Sequence, residues 1–138
     1  MIILDTNIFS EFTKPQPSDR VQAWFRLQKA DDLATTAITE GELYYGVESL
    51  PHGKRKVETE RVYDAMLSRL GGGIHAFDRA AARQYALIAA QRRRAGLEAD
   101  TADCQIAAIA RVLGASVATR NISDFTHTGA KVIDPWTA

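Results

Sequence analysis

Along the chain, short unbroken apolar runs alternate with segments whose apolar residues recur every three or four positions. Ile2, Ile3 and Leu4 run directly into Asp5, the pattern of a strand buried on both faces in a parallel sheet. A short helix is predicted from Thr6 to about Phe12, stopped by Pro15 and Pro17. Ser18 suits an N-cap, and Val21, Trp24 and Phe25 then share one helical face. Leu33 to Ala37 reads as a second strand. Thr39 and Glu42 have the spacing of a capping box, which predicts a helix starting there with Leu43, Val47 and Leu50 as its apolar stripe. Beyond Pro51-His52-Gly53, Val57, Val62, Met66 and Leu70 predict a second helix over 54–70 that closes a helical hairpin.

The alternation then resumes. Ile74 to Phe77 is strand-like, Asp78 is placed to cap a helix, and Ala81, Tyr85, Ile88 and Ala89 line that helix until Gly96. Ile106, Ile109, Ala110 and Leu113 mark another helix from Thr101 or Ala102, ended by Gly114. Val117 to Thr119 and Lys131 to Ile133 are two further short strands, with Asn121 and Asp124 in the polar loop between them. This βα alternation argues for an α/β fold, a parallel sheet covered by helices, in a single domain over 1–138.

Composition narrows the class. The chain has 138 residues, 46% hydrophobic and 25% charged, with no stretch near the roughly 20 apolar residues of a membrane span. Its start lacks a basic region before an apolar core, so no secretory signal is read and a cytoplasmic location is expected. One cysteine excludes an internal disulfide, and the three histidines have no spacing suited to zinc. The net charge is zero, so overall electrostatics give no pull toward nucleic acid.

The candidate chemistry lies in acids at element ends. Ligands of open parallel sheets bind beyond the carboxyl ends of the strands, where Asp5 and Asp124 are expected. Asp103 opens a helix on the face of Ile106, Ala107 and Ala110, and Glu42 lies near the start of its own helix. If these four converge, each pair near 4 Å would repel by roughly 4 kcal/mol at an effective dielectric of about 20, so a positive partner is required. Oxygen donors without a Cys/His cluster suit a hard divalent cation, Mg²⁺ or Mn²⁺, and hence phosphodiester hydrolysis without a protein nucleophile. Each acid also has a plain structural reading: Asp5 as a helix cap, Glu42 as a capping-box member, Asp103 as a charge on a helix dipole, Asp124 as a loop acid. Lys54-Arg55-Lys56 and Arg92-Arg93-Arg94 are either phosphate contacts or solvated helix ends. Trp24, Phe25, Tyr44 and Tyr45 read better as core or dimer packing than as base-stacking platforms.

LDTNIFSE at 4–11, TAITEGELYYGV at 36–47, ADTADCQIAAIA at 99–110 and ATRNISDF at 118–125, in this order, resemble the PIN-domain family, specifically toxin ribonucleases of the VapBC type. PQPSDRVQAW at 15–24 and the ending DPWTA resemble the FitB-like branch. The resemblance covers nearly the full chain and implies a five-stranded parallel sheet flanked by helices. It also implies a metal-dependent acidic pocket that cleaves RNA, with Asp5, Glu42 and Asp103 as the first three family acids. Asp124 is taken as the fourth, although some members carry an Asp at the position of Asn121; Thr6 and Asn121 are polar supports. Asp100 is either an acid behind the site or a solvated loop residue. Implied partners are an RNA substrate, a VapB/FitA-like antitoxin that carries the contact to operator DNA, and a second copy of the chain. An antitoxin groove is expected on the apolar surface of the first half, around Trp24 and Tyr45. Two other readings compete. A non-catalytic partner in a repressor complex would need no intact set of acids. A phosphatase of the haloacid dehalogenase type would need a second aspartate where Asn7 stands.

Overall fold

In the computed structural model, which describes residues 1–138, the predicted alternation becomes a five-stranded, wholly parallel sheet. The strands are β1 (Ile2–Leu4), β2 (Leu33–Thr36), β3 (Ile74–His75), β4 (Ser116–Ala118) and β5 (Val132–Ile133), in the spatial order β3-β2-β1-β4-β5. The helices are α1 (Thr6–Glu11), α2 (Asp19–Leu27), α3 (Ala37–Glu48), α4 (Lys54–Ser68), α5 (Arg79–Arg94) and α6 (Thr101–Leu113), with 3-10 turns at Ala30–Asp32 and Ile122–Phe125. No helix is long and apolar enough to cross a membrane.

Alternation of side chains along each strand divides the core into two layers. Ile3, Ala34 and Val117 point to one face, where they meet Ala81 and Ile88 of α5 and the Ile106–Ala110 run of α6. Leu4, Leu33 and Ala118 point to the other, against Ile8, Phe9, Leu43, Val47 and the α4 residues Tyr63, Met66 and Leu67. Both faces of β1 are therefore dry, which is why its sequence is apolar without alternation.

Element boundaries move where a polar side chain has a local task. Thr36 is the N-cap of α3, its Oγ1 accepting the Thr39 N–H at 3.0 Å, so α3 begins one turn before the expected capping box and β2 stops short of Ala37. Thr39 is fully buried and receives the Thr36 hydroxyl proton at 3.2 Å, so Glu42 is not its capping partner. β3 ends at His75 because Phe77 leaves the sheet to pack on Tyr85, 6.0 Å between ring centroids, while Asp78 caps α5 through the Ala81 N–H at 2.9 Å. In α4 the buried face runs through Thr59, Tyr63, Met66 and Leu67, so the expected stripe is rotated and Val57 is 64% exposed.

Trp24, Phe25 and Tyr44 pack against the second core layer, as the packing reading of these aromatics expects, whereas Tyr45 is 68% exposed. The arginine triplet divides: Arg93 and Arg94 are exposed, but Arg92 is buried and is neither a phosphate contact nor a solvated helix end.

Candidate active site

The chain runs β1, β2, β3 outward to one edge, then returns to place β4 on the other side of β1. The carboxyl ends of β1 and β4 thus flank the point where the order of the sheet reverses, the usual location of a ligand in this architecture. Asp5 leaves β1 there, its N–H donating to the Ala118 carbonyl at 3.0 Å as though the strand continued. Its side chain then does two jobs. Oδ1 caps α1 through the Thr6 N–H at 2.8 Å, and Oδ2 accepts the Thr119 hydroxyl at 2.8 Å. Only 5% of Asp5 is exposed.

Around Asp5 lies a polar network whose central members are Thr119 and Asn7. Thr119 Oγ1 accepts from Asn7 Nδ2 at 3.2 Å and from the Asn121 N–H at 3.1 Å. Asn7 Nδ2 also points at Asp5 Oδ2 at 3.5 Å, and Asn7 Oδ1 accepts the Arg120 N–H at 3.1 Å. Asn121 joins this network through its main chain, with its side chain exposed. Sequence reasoning had not given Thr119 or Asn7 a role at the site. The signal for Thr119 was present: a hydroxyl at the end of a buried strand, at the same level of the sheet as Asp5.

The other acids come from three further elements. Glu42, on the exposed side of α3, accepts the Thr6 hydroxyl at 3.0 Å. Asp103 lies half-buried in the first turn of α6, and Asp100 is the N-cap of that helix, accepting the Asp103 N–H at 3.0 Å. Asp124 is half-buried on the Ile122–Phe125 turn.

These carboxylates act on one another. Burial pushes the Asp5 carboxyl above its ordinary value against the Thr119 and Thr6 hydrogen bonds, and the Asp124 charge adds to the rise. Partial loss of water likewise raises Glu42, with the Thr6 hydrogen bond opposing and the charges of Asp5 and Asp100 adding. Asp103 is pushed furthest, to about 7, first by desolvation and then by Asp100, Asp5, Asp124 and Glu42. None of the five takes part in an ion pair with a lysine or arginine. The arrangement is an unneutralised set of hard oxygen donors, the chemistry that fits Mg²⁺ or Mn²⁺. As the side chains stand they are within each other's field, but no three of them have closed to metal-ligand distances.

A family model described as "PIN domain" matches residues 2–131. The chain belongs to the PIN-domain family. Among its relatives, a VapC ribonuclease, Y4jK, from Sinorhizobium fredii is 40% identical over 99% of this chain and 98% of that protein. The toxin FitB of Neisseria gonorrhoeae is 40% identical, covering 99% of each chain. A solved structure of FitAB bound to an IR36 DNA fragment superposes with a TM-score of 0.91 at 39% identity, covering 99% of this chain and 96% of that one. Within this PIN domain the acids stand on the four segments that carried the resemblance: Asp5 after β1, Glu42 on α3, Asp103 on α6 and Asp124 after β4.

Proposed function

We propose that this PIN domain is a Mg²⁺- or Mn²⁺-dependent endoribonuclease, the toxin of a toxin–antitoxin pair acting in the cytoplasm. The observation that carries the reading is the group of acids at the sheet's switch point, mutually repelling and without a cationic side chain to neutralise them. Full-length similarity to proteins named as ribonuclease and toxin supports the substrate class.

In this reading Asp5 and Asp103 would hold the principal ion, while Glu42 and Asp124 would hold waters, a second ion or a proton from the attacking water. A bound ion of this type lowers the pKa of a water and stabilises the leaving oxygen. The chain's own contribution is orientation. Thr119 and the Thr6 N–H clamp both oxygens of Asp5, and the Thr6 hydroxyl holds Glu42 by a hydrogen bond from the residue next to Asp5. Asp103, near 7, must shed its proton before it can ligate, so ion binding and deprotonation are linked.

The FitAB–DNA structure supports a VapB/FitA-like antitoxin as the partner that carries the contact with operator DNA; a second copy of the chain is proposed on the family resemblance alone. The test is cleavage of defined RNAs by purified protein, with chelator and with added Mg²⁺ or Mn²⁺, beside Asp5→Asn. Cleavage that needs the ion and vanishes in a folded Asp5→Asn protein is expected. Cleavage unaffected by that substitution would reject the site, and antitoxin binding by a parent inert on every RNA would favour a repressor role alone.

A further inference from the structure

Arg92 is 5% exposed and forms no ion pair, an unusual setting for a guanidinium. Its partners are main-chain carbonyls from two different loops. Nε donates to Glu98 O at 2.7 Å, and Nη1 donates to Thr126 O at 2.6 Å, to Ser123 O at 3.3 Å and to Thr126 Oγ1 at 3.3 Å. Glu98 lies two residues before Asp100, the cap of α6, and Ser123 and Thr126 bracket Asp124.

The main chain of Arg92 reinforces the same junction. Its carbonyl accepts the Leu97 N–H at 2.9 Å while Gly96 N–H donates to Arg93 O at 3.1 Å, a Schellman turn completed by Gly96 at φ 75°. The end of α5 is thereby fixed, and its last-turn arginine reaches from a rigid base. A leucine or methionine here would fill the same space but would leave the carbonyls of Glu98, Ser123 and Thr126 without this donor. The charge and the planar fork therefore answer a need other than packing.

We propose that Arg92 is a positioning residue of the acid site, one guanidinium tying the turn that carries Asp124 and the turn that leads to Asp100 and Asp103 to the end of α5. This rests on the reading of those acids as the metal-binding set. The geometry explains how segments well separated in sequence are held together: one guanidinium donates to main-chain carbonyls of both turns, and no carboxylate is used in the contact. Arg93 and Arg94, exposed on the same helix end, lack these contacts and serve as internal controls.

The experiment compares Arg92→Lys, Arg92→Gln and the milder Thr126→Val with Arg93→Gln and the parent. Folding is confirmed by circular dichroism, followed by hydrogen exchange without metal, Mn²⁺ titration calorimetry, and RNA cleavage resolved into kcat and KM. In both Arg92 variants, exchange should rise selectively at residues 97–103 and 121–127. Mn²⁺ affinity should fall roughly tenfold to a hundredfold, the usual effect of removing a group that orients metal ligands, with kcat falling more than KM rises. Thr126→Val should move the same way by less, and Arg93→Gln should match the parent in hydrogen exchange and Mn²⁺ affinity. Exchange that rises uniformly, or Mn²⁺ affinity that stays at the parent's value in folded Arg92 variants, would overturn the proposal. A parent that binds no Mn²⁺ would instead reject the metal-site reading, and the exchange pattern would still decide whether Arg92 pins the two turns.

Discussion

Asp103→Asn tests whether the acids repel as the structure indicates. The carboxyl stands at about 7 against an ordinary 3.8, a displacement of about three pH units, or at most about 4 kcal/mol of disfavoured charge at high pH. Asp103 is only half-buried, so solvent screening cuts this to about 2 kcal/mol. Loss of its favourable place in the first turn of α6 returns about 0.5 kcal/mol, leaving a net gain of about 1–2 kcal/mol. A raised carboxyl means that between about pH 4 and pH 7 the folded chain binds more protons than the unfolded chain. The contribution of Asp103 to stability therefore falls as pH rises through that window and is level above it. In chelator, Asp103→Asn should melt like the parent near pH 4 and about 3–6 °C higher at pH 8, at about 3 °C per kcal/mol for a chain of this size. Excess Mg²⁺ should reverse the order, because it stabilises only a form that binds it. Thermal melts across pH with chelator measure this. A variant that melts at or below the parent at pH 8 would refute mutual repulsion and leave Asp103 as a helix-terminus charge.

Substitutions at three further positions separate site from scaffold. Thr119→Val keeps the shape but leaves the Asn7 and Asn121 donors and Asp5 Oδ2 short of a partner in a fully buried position. A loss of about 1–3 kcal/mol is expected in urea melts, with Thr119→Ser near the parent. A Cβ at Gly72 would stand 2.6 Å from the Leu33 carbonyl oxygen, so Gly72→Ala should lower stability by about 1–3 kcal/mol. A Cβ at Gly41 meets nothing within 4 Å, so Gly41→Ala should raise stability by about 0.5–1 kcal/mol through helix propensity alone, as thermal melts would show.

Much of the fold was legible because its signals are local. The unbroken run Ile2–Leu4, the caps Ser18 and Asp78, and Gly114 closing α6 at φ 63° each follow from residue type and spacing. What escaped depends on tertiary contacts. Thr36 and Thr39 stand three residues apart, and which one caps depends on where β2 stops, at the last residue of its pairing with β3. Val57 fitted the helical period of α4 but faces solvent, because the core takes Thr59 and Tyr63 instead. At the site, acids at strand and helix ends were readable, since polar residues that interrupt an apolar pattern stand out. Thr119, Asn7 and Arg92 were not, because their partners lie at sequence separations of 114, 112 and 31–34 residues. Even so, Arg92 continues the buried stripe of Ala81 and Ile88, and that periodicity separates it from its two exposed neighbours.

The central claim, that these acids are a metal centre, is tested most directly by titrating the parent and Asp5→Asn with Mn²⁺ at pH 7 in buffers of different ionisation heat. The account predicts saturable binding in the parent with heat that depends on the buffer, because Asp103 gives up its proton as the ion enters, and loss of that binding in folded Asp5→Asn. Absence of binding in the parent, or binding that survives Asp5→Asn without proton release, would contradict it.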